Sequence, residues 1–137
     1  MSLVLDASLT LAWFLDGEST PAADAVLDEV VATNAVVPPL WRVEVGNALQ
    51  MAVRRQRIDR TFRDNMLREL RALPIDIDTD CDVHCWSAAL TLADTCELTL
   101  YDATYLELAQ RRRLPLATLD RALRDAAERV HVSVKGL

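Results

Sequence analysis

Residues 3–15 read LVLDASLTLAWFL, and the acid at position 6 decides how this stretch folds. Leu3–Leu5 is a short apolar run of the kind that makes a strand buried on both faces. SLTLAWFLDG then has the composition of a helix, with Ser8 able to cap it. A carboxylate rarely goes inside unless something pairs with it. Asp6 therefore either ends a strand and caps a helix, or holds something positive.

The same alternation recurs along the chain. STPAADAVLDEVVATN opens with a capping residue and Pro21 near its first turn, and Ala22, Ala25, Val26, Glu29 and Val30 fall at helical spacing. AVV (35–37) is a second strand, stopped by Pro38 and Pro39. A helix from Leu40 to about Arg55 carries Trp41, Val45, Ala48, Leu49 and Ala52 as one apolar stripe. Asp59 opens another, ended by Pro74, and Ile75–Ile77 is a third strand. CDVHCWSAALTLADTC is helical, and TLYDATYLELAQRRR starts a helix near Thr99. LPLATL (114–119) is a fourth strand, DRALRDAAER a last helix and VHVSV a terminal strand. Strands alternating with helices imply crossover connections, hence an α/β fold whose mostly parallel sheet is covered on both faces.

With 137 residues, 51% of them hydrophobic and 26% charged, the chain is expected to form a single globular domain over 1–137. No apolar run is long enough to cross a bilayer, and the N-terminus does not resemble a secretory signal, so no membrane association is expected. Three cysteines, Cys81, Cys85 and Cys96, cannot all pair within the chain, which favours reduced thiols and a cytoplasmic location. The formal net charge of −6 argues against a generic basic coat for nucleic acid. Yet fourteen of the fifteen basic residues are Arg, clustered in VRRQRIDRTFR and AQRRRL. Arg forks suit phosphate, although any single one can simply decorate a solvated helix.

Four acids occupy comparable places in this pattern: Asp6 after strand one, Glu44 in the second turn of the helix after strand two, Asp102 in the first turn of the helix from Thr99, and Asp120 after strand four. Each has an ordinary structural role open to it. Asp6 and Asp120 can cap helices, Thr99 and Asp102 are spaced as a capping box, and Glu44 can face water. Together they mean more, because the C-terminal strand ends of a parallel sheet gather on one edge, where ligands bind. Four carboxylates there must take up protons or hold cations. An all-carboxylate set suits a hard ion such as Mg²⁺ or Mn²⁺. Ser8, Asn47 and Thr118 stand beside three of the acids as neutral hydrogen-bonding groups, Asn47 sharing a helix face with Glu44.

LVLDAS (3–8), EVGNAL (44–49), LTLYDATYLELA (98–109) and ATLDRAL (117–123) resemble the four signature blocks of PIN-domain ribonucleases, and more narrowly the small toxins of VapBC toxin–antitoxin pairs. The blocks span nearly the whole chain, and LTLYDATYLELA is the most specific of them. The resemblance implies a five-stranded parallel sheet flanked by helices and a Mg²⁺- or Mn²⁺-dependent endoribonuclease. Its acidic metal-binding set would be Asp6, Glu44, Asp102 and Asp120, with Ser8, Asn47 and Thr118 at the neighbouring polar positions. It also implies a homodimer and a cognate antitoxin that covers the metal site. The first helix, with Leu11, Trp13, Phe14 and Leu15, could fill the core on one side and offer a groove on the other. Arg54, Arg55 and Arg57 are candidates for phosphate contact; the 111–113 triplet, at the far end of its helix, is a poorer one.

Other motifs fall short. IDIDTDCD has the look of a Ca²⁺ loop, but Cys81 replaces its turn glycine and Ser87 its closing Glu. Cys81, His84 and Cys85 lack the further ligands of a closed zinc site. No G-x-S-x-G, P-loop or dinucleotide fingerprint is present. A non-catalytic PIN-like scaffold binding RNA or protein would have no reason to keep mutually repelling acids. A receiver-type phosphoacceptor domain would want paired acids after strand one, where only Asp6 stands.

Overall fold

In the computed structural model, residues 2–15 and 17–136 are described. Five strands form one sheet in the order β3-β2-β1-β4-β5, every pairing parallel. They are β1 (Val4–Leu5), β2 (Ala35–Val37), β3 (Ile75–Ile77), β4 (Leu116–Ala117) and β5 (Val134–Lys135). Between them run α1 (Ala7–Ala12), α2 (Pro21–Ala32), α3 (Leu40–Arg54), α4 (Arg60–Ala72), α5 (Cys81–His84), α6 (Ala88–Cys96), α7 (Leu100–Arg112) and α8 (Arg121–Arg129). The expected five-stranded parallel α/β architecture is the one observed. Among the described residues no helix is long and apolar enough to cross a membrane.

The most apolar strand takes the centre. Leu3, Val4 and Leu5 are fully buried, and β1 pairs with β2 on one side and β4 on the other. This places the ends of β1 and β4 side by side, because Leu5 registers with Ala117 and the Asp6 N–H donates to the Ala117 carbonyl (2.9 Å). Side-chain caps fix several helix starts. Thr20 accepts from the Ala23 N–H, Asp59 from Phe62, Thr99 from Asp102 and Asp120 from Leu123.

Three expected boundaries moved. Helix α1 starts at Ala7 with Asp6 rather than Ser8 in the capping position, because the Ser8 hydroxyl is engaged by the Asp6 carboxylate (2.6 Å). The helix stops at Ala12; Leu15 is buried and Leu11, Trp13 and Phe14 pack half-buried on the core, with Trp13 and Phe14 edge to face. Asp16, inside the stretch read as helical, lies outside the described residues. The 81–96 helix is two helices, broken at Ser87, whose backbone (φ −122°, ψ −97°) is not helical. The terminal strand begins later than VHVSV suggested, because His131 adopts a left-handed turn (φ 62°).

A buried ion-pair network ties β3 to α7. Arg111 donates through Nε to Glu107 (2.9 Å) and through Nη2 to Asp78 (2.9 Å), and Arg112 adds a longer contact to Asp78 (3.4 Å). Burial alone would push Asp78 up, but Arg111 and the Cys81 thiol hold it down to about 2. The same burial, with Asp78 alongside, pushes the Cys81 thiol up to about 12. Replacing Arg111 leaves buried Glu107 without its cation and buried Asp78 with only the longer Arg112 contact. Arg111→Met is expected to cost about 3–5 kcal/mol in denaturant unfolding, and a loss under about 1 kcal/mol would show that the network behaves as a surface pair.

Candidate functional site

The polar residues at the ends of β1 and β4 form two short relays. The Leu119 N–H donates to Ser8 Oγ (3.1 Å), which donates to Asp6 Oδ2 (2.6 Å). The Asp120 N–H donates to Thr118 Oγ1 (3.0 Å), which donates to the same Oδ2 (2.8 Å). Each hydroxyl accepts from backbone and has its proton left for the carboxylate. Asp6 is only 5% exposed, and although it stands in the capping position of α1, its side chain makes no capping bond. Its neighbours in the sequence, Leu3–Leu5, are what carry it inside.

Helix α3 approaches from the other side. Trp41 Nε1 donates to Thr10 Oγ1 (3.1 Å), and Thr10 Oγ1 donates to the Asp6 carbonyl (3.1 Å). One turn on, Glu44 Oε1 accepts from the Tyr105 hydroxyl (2.6 Å) of α7. Asp102 opens α7, its N–H bonded to Thr99 Oγ1 (3.2 Å), and the Thr99 hydroxyl also favours its charged form. Asp120 caps α8 through Oδ1 (2.9 Å to the Leu123 N–H).

The acids feel one another. Asp6 is pushed up by burial and by Asp120, against the pull of the Ser8 and Thr118 hydroxyls. Burial raises Glu44, with Asp6 and Asp102 adding to it and Tyr105 opposing. Asp102 is pushed up to about 6 by burial, Asp120 and Asp6. No Arg, Lys or His side chain contributes to any of these three shifts. Asp78, with its two arginines, is the contrast: there the chain supplies its own cation, and at the four acids it supplies hydroxyls and backbone N–H groups.

The four predicted acids are thus brought together, with Ser8 and Thr118 in direct contact with Asp6. Asn47 is exposed on α3 and holds no hydrogen bond to the acids among the described residues. As the side chains lie, no three His, Cys, Asp or Glu groups among the described residues converge closely enough to grip an ion. Each acid is turned onto its own neutral donor. The fit to a hard cation lies in the donor set, which is all oxygen, mutually repelling and without an internal counter-ion. Cys81, His84 and Cys85 form no such group. Sequence inspection missed Tyr105, Thr10 and Trp41. Tyr105 had a signal, standing three residues after Asp102 in LTLYDATYLELA; Trp41 and Thr10 read simply as core.

A family model for the PIN domain matches residues 3–129. The chain belongs to the PIN-domain family. Within it, the chain is 30% identical over 123 residues to Ribonuclease VapC3 of Pyrobaculum aerophilum, covering 90% of this chain and 92% of that protein. The fold matches the crystal structure of PAE2754 from Pyrobaculum aerophilum with a TM-score of 0.71 at 25% identity, over 98% of this chain and 83% of that one. FitAcB from Neisseria gonorrhoeae superposes with a TM-score of 0.66 at 16% identity, covering 98% and 96% of the two chains. VapBC2 from Rickettsia felis, bound to a DNA fragment from their promoter, gives 0.65 at 11% identity, with 98% and 97% covered.

The raised Asp102 has a thermodynamic consequence. Its carboxyl binds a proton more readily folded than unfolded, so between pH 3.8 and about 6 it removes stability as pH rises. In EDTA at neutral pH, Asp102→Asn is expected to stabilise the protein by about 1 kcal/mol, allowing for solvent screening, and to flatten that slope. An unchanged or lower Tm would assign Asp102 to helix capping instead.

Proposed function

We propose that this chain is a Mg²⁺- or Mn²⁺-dependent endoribonuclease, the toxin of a VapBC-type toxin–antitoxin pair. The observation that carries the proposal is the set of four acids at the strand ends whose partners are neutral donors. Family membership and the VapC3 relative give the chemical class.

Asp6 and Asp102 would be the principal ligands, and Glu44 and Asp120 would hold a second ion or the waters of the first, or accept the proton of the attacking water. The bound cation supplies charge neutralisation at the phosphate and lowers the pKa of water. Ser8 and Thr118 aim the Asp6 carboxylate and favour its charged form against burial, each donating its proton to Oδ2. Water adds to phosphorus, the bond to the 3′-oxygen breaks, and the products carry a 5′-phosphate and a 3′-hydroxyl. Arg54, Arg55 and Arg57, exposed around the α3–α4 turn, are the phosphate contacts, with Arg57 also 3.6 Å from Glu18. Arg111 and Arg112 are committed to Asp78 and take no such part.

The antitoxin is assigned to the cleft of about 470 Å³ lined by Phe14, Leu15, Arg57, Ile58, Asp59 and Phe62. Apolar rings flanked by charge suit an amphipathic segment, and the cleft adjoins α1 as the helix composition suggested. Homodimerisation is supported by Trp86, 87% exposed beside an exposed Val83. Three free cysteines agree with a cytoplasmic setting.

Incubation with a mixed RNA pool and Mn²⁺ should give 5′-phosphorylated fragments, with none in EDTA and none from Asp6→Asn. Equal cutting by wild type and Asp6→Asn would remove the acids from the mechanism. Binding without cleavage would favour the scaffold.

A further inference from the structure

Three of the four acids owe their direction to groups close in sequence or to the adjoining strand end. Asp6 is held by Ser8 and Thr118, Asp102 has the Thr99 hydroxyl, and Asp120 caps its own helix. Glu44 differs. It has the longer side chain, with one more rotatable bond than Asp, and its base is on a helix from the opposite side of the site. Its hydrogen-bond partner among the described residues is a phenol sixty-one residues away in sequence.

That phenol is unusual in its placement. Tyr105 is fully buried, yet its hydroxyl reaches a half-buried carboxylate rather than a backbone carbonyl. It lies three residues after Asp102 on α7, so both point from the same helix face. Trp41, three residues before Glu44, is itself tied through Thr10 to the Asp6 carbonyl. Glu44 is therefore fixed at both ends, its backbone through α3 to Asp6 and its carboxylate through Tyr105 to the helix of Asp102. A neutral donor suits this task better than Arg or Lys, since it restrains one oxygen and leaves the charge uncompensated.

We propose that Tyr105 is a positioning residue, its phenol aiming the Glu44 carboxylate so that the α3 acid reaches, directly or through the ion's waters, the cation held by the α7 acid Asp102. The proposal rests on the metal-site reading above and adds to it a residue that never touches the ion. Mn²⁺ binding to the intact protein, measured by calorimetry without RNA, is the test. Tyr105→Phe keeps the buried ring and is expected to weaken Mn²⁺ binding by about tenfold or more. In a Glu44→Gln background the same change should add nothing, because the group it positions has lost its charge. Glu44→Asp, which keeps the charge but withdraws it from the phenol, should weaken binding similarly without disturbing the core. Unchanged Mn²⁺ affinity in Tyr105→Phe or Glu44→Asp, or a full additional loss in the Glu44→Gln background, would overturn the proposal while leaving the metal site standing. Wild type that binds no Mn²⁺ would overturn both.

Discussion

The hydroxyl bonds from Ser8 and Thr118 to Asp6 join the central strand to the loop that enters α8. Both hydroxyls are also acceptors for backbone N–H groups of that loop, Leu119 and Asp120. The carboxylate thus organises two segments more than a hundred residues apart, and the two hydroxyls in turn offset part of the cost of burying its charge. A neutral Asp6 would leave the two donated protons competing for poorer acceptors. The position of Asp120, and through it the start of α8, follows from the same two bonds. So does the spacing of Asp6 and Asp120, whose repulsion is written into the raised pKa of Asp6.

Burying an acid has two solutions in this molecule. Asp78 and Glu107 receive a guanidinium, and the result is a closed network joining β3 to α7. Its net contribution is modest beside an apolar substitute, but breaking it strands charge. Asp6, Glu44 and Asp102 receive hydroxyls instead, which relieve part of the desolvation and none of the mutual repulsion. A fold under pressure only for stability would treat the second group like the first. That it does not is what supports the proposed site, since functional groups are held in arrangements that cost stability.

Much of this was legible in the residues. Short β-branched runs separated by helical periods specify a parallel sheet, and the apolar Leu3–Leu5 run specifies its centre. The acids were legible by place, Asp6 and Asp120 after strands, Asp102 and Glu44 in the first two turns of helices. Side-chain competition was not. Ser8 reads as a helix cap until the Asp6 carboxylate is seen to engage it. Ser87 looks like any helical residue in a sixteen-residue apolar-periodic stretch, yet the chain breaks there. Long-range partners were invisible for the same reason: nothing local in Tyr105 announces Glu44, nor in Arg111 announces Asp78.

An acidic protein acting on a polyanion needs its charge sorted rather than balanced. On the proposed function, part of the negative excess lies at the site, where acids without counter-ions would repel phosphate until cations entered. The arginines are sorted too. Arg111 and Arg112 are spent on Asp78, and Arg63 on Asp64 and Gln50, whereas Arg54, Arg55 and Arg57 lie exposed around the α3–α4 turn, Arg57 with a long contact to Glu18. Arg54 is ten residues along α3 from Glu44, a distance of about 15 Å at the helical rise. On the proposed function, that separation would let a guanidinium meet a phosphate some nucleotides away from the acids without entering their field. A basic residue nearer would neutralise a carboxylate and take the cation's place, as Arg111 does at Asp78. Arginine at the end of α3 and acid near its start would then be one arrangement, in which attraction for the backbone is kept apart from the proposed chemistry on it.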